Sequence, residues 1–351
     1  MKYSFELVDN IATTSWDRFV NDYPRSKAGI PRTTFIQSSY WKQIHDNLNI
    51  PSISFVVKDS TGEIIGGGIG IEVYAKRGKY LYFRNGPLID WSNEILAQQT
   101  IGFLKQLSKQ KGLWFVRISP LIEDGTLEAK VYKKIKAVNT PIASLEGLDT
   151  WVSSIGKLNP DLLLSSFKKK TRYEVKKALK NCTFEIHEDS QKFEEFYEIL
   201  QSTAQRNNWK PFPKDFIKEE LDVFSKAGKA SLILAKYKEK YVAGAMFIHY
   251  AQQTCYHHSG SLAEFKNLSA PYGIIWHAYL EAFKHNSTHF NFWGLAPKNS
   301  KSTHPWQGLS QFKQKFPGQL MQWIPAKDIP TSSLYFFTNF YEKIEKRKKR
   351  Y

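Results

Sequence analysis

Two stretches of this chain repeat one another at a fixed spacing, and that spacing limits the folds open to it. Residues 54–64 (SFVVKDSTGEI) and 231–241 (SLILAKYKEKY) each read as a β-rich run, a charged turn and the opening of a second strand. The second strands continue as IGGGIGIEVY and VAGAMFIHYA, which sets Gly67 opposite Gly244 at an offset of 177. The runs GLWFVRISP and HFNFWGLAP end at Pro120 and Pro297, again 177 apart. Each follows a stretch, 94–112 or 270–286, whose apolar residues recur at helical spacing. Each half thus reads as helices, a hairpin, a third strand, a long helix and a further strand. A period this long implies duplicated domains. The boundary falls near residues 148–161, where LDTWVSSIGKLNPD carries turn and capping residues, and it divides the chain into domains 1–150 and 151–351.

That order of elements resembles the N-acetyltransferase (GNAT) domain. The expected fold is therefore α/β, more strictly α+β: two tandem GNAT-like domains, each a mixed sheet with an antiparallel hairpin flanked by helices. With 42% apolar and 15% aromatic residues, the 351-residue chain has material for two cores. Acyl-CoA enzymes of that class need a glycine-rich pyrophosphate cradle between strand and helix. Neither half offers one, since RNGPLIDWSNE and SGSLAEFKNLSAP stand at those places and Gly66, Gly67, Gly68 and Gly70 fall inside a strand. Cys182 and Cys255 are too few for a disulfide framework or a Cys-rich zinc module, and they suit a reducing cytosol. No run approaches the ~20 apolar residues of a membrane helix, and MKYSFELVDN lacks the apolar core of a leader. A soluble, cytoplasmic protein is expected.

The net charge of +17 is concentrated. Lys168, Lys169, Lys170, Arg172, Lys176, Lys177 and Lys180 stand against Glu174 alone, and a second basic run covers residues 343–350. Such tracts attract polyanions: nucleic acid, nucleotide phosphates or an anionic membrane face. In the first tract Leu162, Leu163, Leu164, Phe167, Tyr173, Val175, Ala178 and Leu179 follow helical spacing, which predicts a basic helix over 162–181.

Several segments together resemble the Fem-type (FemABX) peptidyltransferases. LLSSFKKKTRYEVKKALKN (163–181) is similar to that family's basic helix, and YHHSGSLAEFKNLSAPYGIIWHAYLEAFK (256–284) to its Y-x-x-x-G/A-S…A-P segment. FNFWGLAP (290–297) and HPWQGLSQFKQKFPG (304–318) resemble F-D-F-W-G and G-x-x-x-F-K-x-x-F-G, with Asn291 replacing the acid and Pro317 a glycine. In the first half FIQSSYW (35–41) matches F-x-Q-S-x-x-W, and YFRNGPLID (82–90) partly matches Y-x-P-R/K-G-P-x-x-D. The resemblance implies two GNAT-like domains working as one enzyme. Such an enzyme moves an amino acid from aminoacyl-tRNA to the side-chain amine of the stem peptide of a peptidoglycan precursor, building an interpeptide bridge. Only about fifty residues fill 181–230, so this looks like the compact branch without the coiled-coil arm. The acceptor is then UDP-MurNAc-pentapeptide or lipid II. Aminoacyl-tRNA is a co-substrate, no cofactor is expected, and the expected species is a monomer with peripheral contact at the inner membrane face.

By the same resemblance Lys313 is the cation near the oxyanion, with Phe312 lining the acceptor channel. Asp90 orients or deprotonates the amine, or else caps the helix that starts near Ser92. Trp41, Lys42, Tyr82, Arg84, Arg206 and Tyr256 are expected to contact the precursor, Arg206 by forking a diphosphate. Lys168, Lys169, Lys170, Arg172, Lys176 and Lys177 are expected to bind tRNA. Aminolysis of an ester needs no protein nucleophile, and no G-x-S-x-G elbow is present. His257 and His258 are adjacent in a predicted strand and should point to opposite faces, so no metal site is expected. An acyl-CoA-dependent N-acyltransferase and a non-catalytic RNA- or membrane-surface-binding protein are the alternatives.

Overall fold

The structure, a computed structural model, describes residues 3–11, 14–76, 78–141, 149–297, 300, 304 and 306–349. The first repeat comprises β1 (Ser4–Leu7), α1 (Thr14–Asp22), α2 (Ser39–Asn47), β2 (Ser52–Lys58), β3 (Ile64–Ala75), β4 (Gly78–Arg84), α3 (Glu94–Gln110) and β5 (Phe115–Ser119). After it come α4 (Leu127–Lys134), β6 (Val138–Asn139), β7 (Asp149–Ser154), α5 (Pro160–Ser166) and α6 (Lys169–Asn181). The second repeat comprises β8 (Thr183–His187), α7 (Phe193–Arg206), α8 (Lys214–Lys226), β9 (Ala230–Tyr237), β10 (Lys240–Tyr250), β11 (Gln253–Ser261), α9 (Ala270–Lys284) and β12 (His289–Gly294). Then follow α10 (Gln307–Lys313), β13 (Gln319–Gln322), β14 (Lys327–Pro330) and α11 (Tyr335–Lys349).

The strands form two seven-stranded mixed sheets, ordered β1-β2-β3-β4-β5-β14-β6 and β13-β7-β12-β11-β10-β9-β8. In each, two hairpin strands pair antiparallel and the last strand of the repeat lies parallel to its neighbour across a helix crossover. The duplication expected from the spacing is present. Its glycines have a packing reason. A Cβ on Gly67 would lie 2.4 Å from the Phe55 carbonyl and 2.7 Å from the Trp16 ring of α1. One on Gly244 would lie 2.7 Å from Leu234 and 3.0 Å from the Phe196 ring of α7. Equivalent helices thus press an aromatic onto the same hairpin position, where no side chain fits.

The sheets are not completed by consecutive sequence. β7 follows the first repeat but pairs antiparallel with β12 of the second, whereas β14 follows the second repeat and pairs antiparallel with β5 of the first. The compact units are accordingly Met1–Asp149 with Ala296–His304 and Met321–Tyr351, and Thr150–Leu295 with Pro305–Leu320. The split after residue 150 therefore differs from the structure at two places: Ala296–His304 and Met321–Tyr351 belong to the first unit. Local patterning cannot show this, because partner choice between strands some 200 residues apart is a long-range property.

A buried ion cluster fixes that exchange. Arg117 on β5 is bidentate to Asp328 on β14, at 2.7 and 2.9 Å, and also donates to Glu342 on α11 at 3.2 and 2.8 Å. The Tyr335 hydroxyl donates to Asp328, and Asn339 donates to the Tyr335 oxygen. Burial alone would depress the guanidinium, but its two carboxylates hold it charged well above its usual range. Arg117 also lies 5.3 Å over the Tyr80 ring. Helix α11 is therefore inverted. Tyr335, Thr338, Asn339 and Glu342 face inward, while Phe336, Phe337 and Phe340 are 66%, 71% and 66% exposed.

Arg117→Met strands two buried carboxylates and is expected to cost about 3–5 kcal/mol in urea unfolding. The triple variant Arg117→Met, Asp328→Leu, Glu342→Leu should recover most of that loss. Equal losses in both variants would mean that the charges are not what matters.

Candidate functional site

In the second unit the parallel pair β11–β12 holds register only from Gln253–His289 to Cys255–Asn291. The equivalent pair β4–β5 runs from Tyr80–Phe115 through Arg84–Ser119. Beyond Cys255 the strands part, opening a split at their carboxyl ends, the usual place for a ligand in such sheets. Two irregularities line it. Opposite β10, Met246 pairs with His258 and Phe247 with Tyr256, so His257 is the extra residue of a β-bulge. On β12 the register breaks between Asn291 and Gly294, with Trp293 left-handed at φ +67°. Asn291 holds that turn: its Oδ1 accepts from the Trp293 N–H at 2.8 Å and its Nδ2 donates to Gln253 at 3.0 Å. The amide makes one bond of each polarity, accepting from the turn and donating to Gln253.

The turn aims the Gly294 carbonyl at Lys313, whose Nζ donates to it at 2.7 Å. Lys313 is the last residue of α10 and is 4% exposed. No carboxylate among the described residues pairs with it, and burial pulls its ammonium down to about 7. Phe312 packs edge-on to Tyr272 and Phe316 at the border of the core. Tyr256 is itself core. It stacks on Phe247 at 5.4 Å, and burial pushes its phenol up to about 12. Arg206 ends α7, exposed, and donates to the Ser261 carbonyl at the end of β11 at 2.7 Å.

The bulge overturns the expectation for the histidine pair. Both rings lie on one side, centroids 4.0 Å apart, and both reach Glu220 of α8. His257 Nε2 is 2.8 Å from Oε1, and His258 Nε2 is 3.0 Å from Oε2. Glu220 is fully buried; burial alone would raise its carboxyl, but the two imidazoles hold it at about 2. Sequence reasoning missed Glu220, although an acid among Ile217, Leu221 and Phe224 on one apolar helix face was a visible signal.

In the first unit Trp41 is buried against Phe35 and His45, with the Arg84 guanidinium 5.6 Å over its ring. Lys42 pairs with Asp46 one turn on. Gln37 clamps this motif to the sheet. It accepts from the Ile69 N–H and donates to the Ile69 and Arg84 carbonyls. Tyr82 is buried beside Tyr80. Asp90 is exposed and accepts from the Ser92 N–H and hydroxyl, while Asn93 caps α3. The helix starts at Glu94, where the helical spacing begins, so Asp90 does not cap it and serves the turn before it.

The basic stretch is two helices rather than one, broken at Phe167, whose side chain is buried in the core. Leu163, Phe167, Thr171, Val175 and Ala178 face inward, but Leu162, Tyr173 and Leu179 are exposed. Arg172 is half-buried and donates to the Ser165 carbonyl, capping α5. Lys168, Lys169, Lys170 and Lys176 are exposed, and Lys177 is half-exposed. Three lysines at the positive end of α6, with no acid in its first turn, work against the helix dipole. They concentrate positive potential at one point.

Comparison with known proteins adds the following. A model of the FemAB family matches residues 14–148, 149–240 and 229–343. Lipid II:glycine glycyltransferase of Staphylococcus aureus is 26% identical over 169 residues, 45% of this chain and 39% of that protein. The chain thus spans about two fifths of the length of these relatives. The crystal structure of FemX superposes with a TM-score of 0.80 at 18% identity, covering 96% of this chain and 99% of that one. A tandem GNAT protein from the clavulanic acid biosynthesis pathway superposes with a TM-score of 0.59 at 9% identity, covering 94% and 99%. These two likenesses show the fold.

The burial of Lys313 has a measurable sign. Its ammonium is disfavoured in the folded state, so the folded chain binds fewer protons between about pH 7 and the unfolded value of 10.5. Stability rises with pH across that window, and the penalty is full below it. Lys313→Met should therefore be more stable than wild type at pH 6, by about 1 kcal/mol or more, with the gap shrinking toward pH 9. Urea unfolding at the two pH values checks this; a variant less stable at both would contradict it.

Proposed function

The chain belongs to the FemAB family, and on that premise we propose that it transfers an aminoacyl group from aminoacyl-tRNA to the stem-peptide side-chain amine of a peptidoglycan precursor. The acceptor is UDP-MurNAc-pentapeptide or lipid II. The observation that carries the reading is Lys313, a buried ammonium held by one backbone carbonyl at the mouth of the β11–β12 split. The neutral amine attacks the aminoacyl ester carbonyl, and a C–N bond forms as an oxyanion develops. The C–O bond to the ribose then breaks, and the proton lost by the amine ends on the departing ribose hydroxyl. A lysine with spare N–H donors in a dry site suits that oxyanion. No covalent enzyme intermediate is called for, and both cysteines are buried, Cys255 completely.

Three further features support the reading. The exposed lysines of α6 offer a polyanion such as tRNA a positive helix end. Arg206, exposed at the end of α7, suits a precursor diphosphate. Asp90 has a free-standing carboxylate edge for an amine, beyond its bonds to Ser92.

No helix among the described residues is long and apolar enough to cross a membrane. Peripheral contact comes instead from α11. Phe336, Phe337, Phe340 and Tyr341 form one outward stripe, and Lys343, Lys346 and Arg347 follow it, exposed. Aromatics beside lysines suit the headgroup region of an anionic bilayer.

The purified chain with a lysine-containing muropeptide precursor and mixed aminoacyl-tRNA should give a mass gain of one amino-acid residue, abolished by RNase. Acylation only with acyl-CoA would sink the proposal. Lys313→Met should lower the transfer rate constant ~10²-fold or more with similar substrate affinity. In wild type that rate should fall as pH rises past about 7, because the cation is the active form. In sedimentation with phosphatidylglycerol vesicles, Phe336→Asp with Phe340→Asp should abolish binding. Unchanged binding would remove α11 from any membrane role.

A further inference from the structure

We propose that Glu220, His257 and His258 form a binding site for a divalent transition metal of the zinc type, built into the bulge of β11 in the second unit. Neither this site nor its test depends on the transfer reaction. The three donor atoms, one carboxylate oxygen and two Nε2 atoms, all lie within 4.8 Å of one another. The oxygen–nitrogen separations of 2.8 and 3.0 Å are close to the ~3.3 Å edge of a tetrahedron with metal bonds of 2.0–2.1 Å, so small side-chain shifts accommodate an ion. His258 makes a directional hydrogen bond to Oε2. His257 Nε2 lies 2.8 Å from Oε1. Two imidazoles and one carboxylate suit zinc, cobalt or nickel and not magnesium or calcium, which prefer oxygen.

The surroundings argue for an ion as well. A fully buried carboxylate needs compensation, and a cation between Glu220 and the two Nε2 atoms supplies it at the separations observed. The bulge that brings His257 beside His258 interrupts the β10–β11 ladder at the one place where it turns both rings toward Glu220. The side chains of His257 and His258 are 7% and 10% exposed, leaving a narrow path for an ion and a fourth ligand such as water. Trp293 lies 5.6 Å from the His257 ring and Phe212 lies 6.2 Å from the His258 ring, together walling the site with aromatic surface. The ion ties α8 to β11 beside the Trp293 turn that presents the Gly294 carbonyl.

Cobalt(II) titrated into the chelator-treated full chain tests the site. The expected result is one equivalent bound per chain, with the intense visible bands of a four- or five-coordinate ion, displaced by zinc. Glu220→Gln and His258→Asn, each kept in shape by a near-isosteric side chain, should weaken binding at least ~100-fold. Because the primary readout is the wild-type chain, a variant that fails to fold does not decide the matter. Two results overturn the proposal: no saturable cobalt binding by folded wild-type protein, or binding equally tight in both folded variants.

Discussion

The Arg117 cluster is the interaction on which the rest of this architecture depends. One guanidinium joins β5, β14 and α11, binding carboxylates 211 and 225 residues further along the chain. Its Coulombic gain in a dry interior offsets the cost of burying three charges only because every carboxylate and N–H donor involved has good geometry. Through it the last thirty residues complete the first sheet, while β7 completes the second. Neither sheet is finished by the repeat that begins it. That reciprocal exchange makes each unit need sequence from both halves of the chain, and the same cluster turns α11 so that its polar side is inward and its aromatic side is outward.

Three buried charges show a gradient of compensation. Arg117 has two carboxylates and an aromatic face. Glu220 has two imidazoles. Lys313 has a carbonyl. A fold under selection for stability alone has no reason to bury a lysine without an acid, and such strain concentrates where chemistry is done. Burial keeps water from the ammonium, and the Trp293 turn holds its acceptor in place. In the proposed reaction the oxyanion is the anionic partner that Lys313 lacks among the described residues.

Much of this was legible in the residues. The spacing of Gly67 and Gly244 exposed the duplication because the same steric demand, an aromatic from the preceding helix pressed onto a hairpin strand, acts in both units and is met by glycine alone. The signatures around Arg206 and Lys313 fall on side chains that bond to the ends of β11 and β12, while those around Trp41 and Arg84 fall on a buried stack of the first unit. Tyr256 and Tyr82, read as substrate contacts, are core residues, since a motif records that a position is constrained and not by what.

What sequence alone determined was therefore whatever local periodicity and close packing encode: two α/β units, their hairpins and long helices, a basic helical segment and an aromatic-basic end. Tertiary structure decided the rest, for one physical reason. A bulge, a strand partner and a desolvated charge are properties of two or more segments at once. Alternation along β11 puts His257 and His258 on opposite faces; only its pairing with β10 inserts the extra residue that turns both toward Glu220. Likewise the exchange of β7 and β14, and the dry carbonyl that meets Lys313, exist only where distant stretches of chain are brought together.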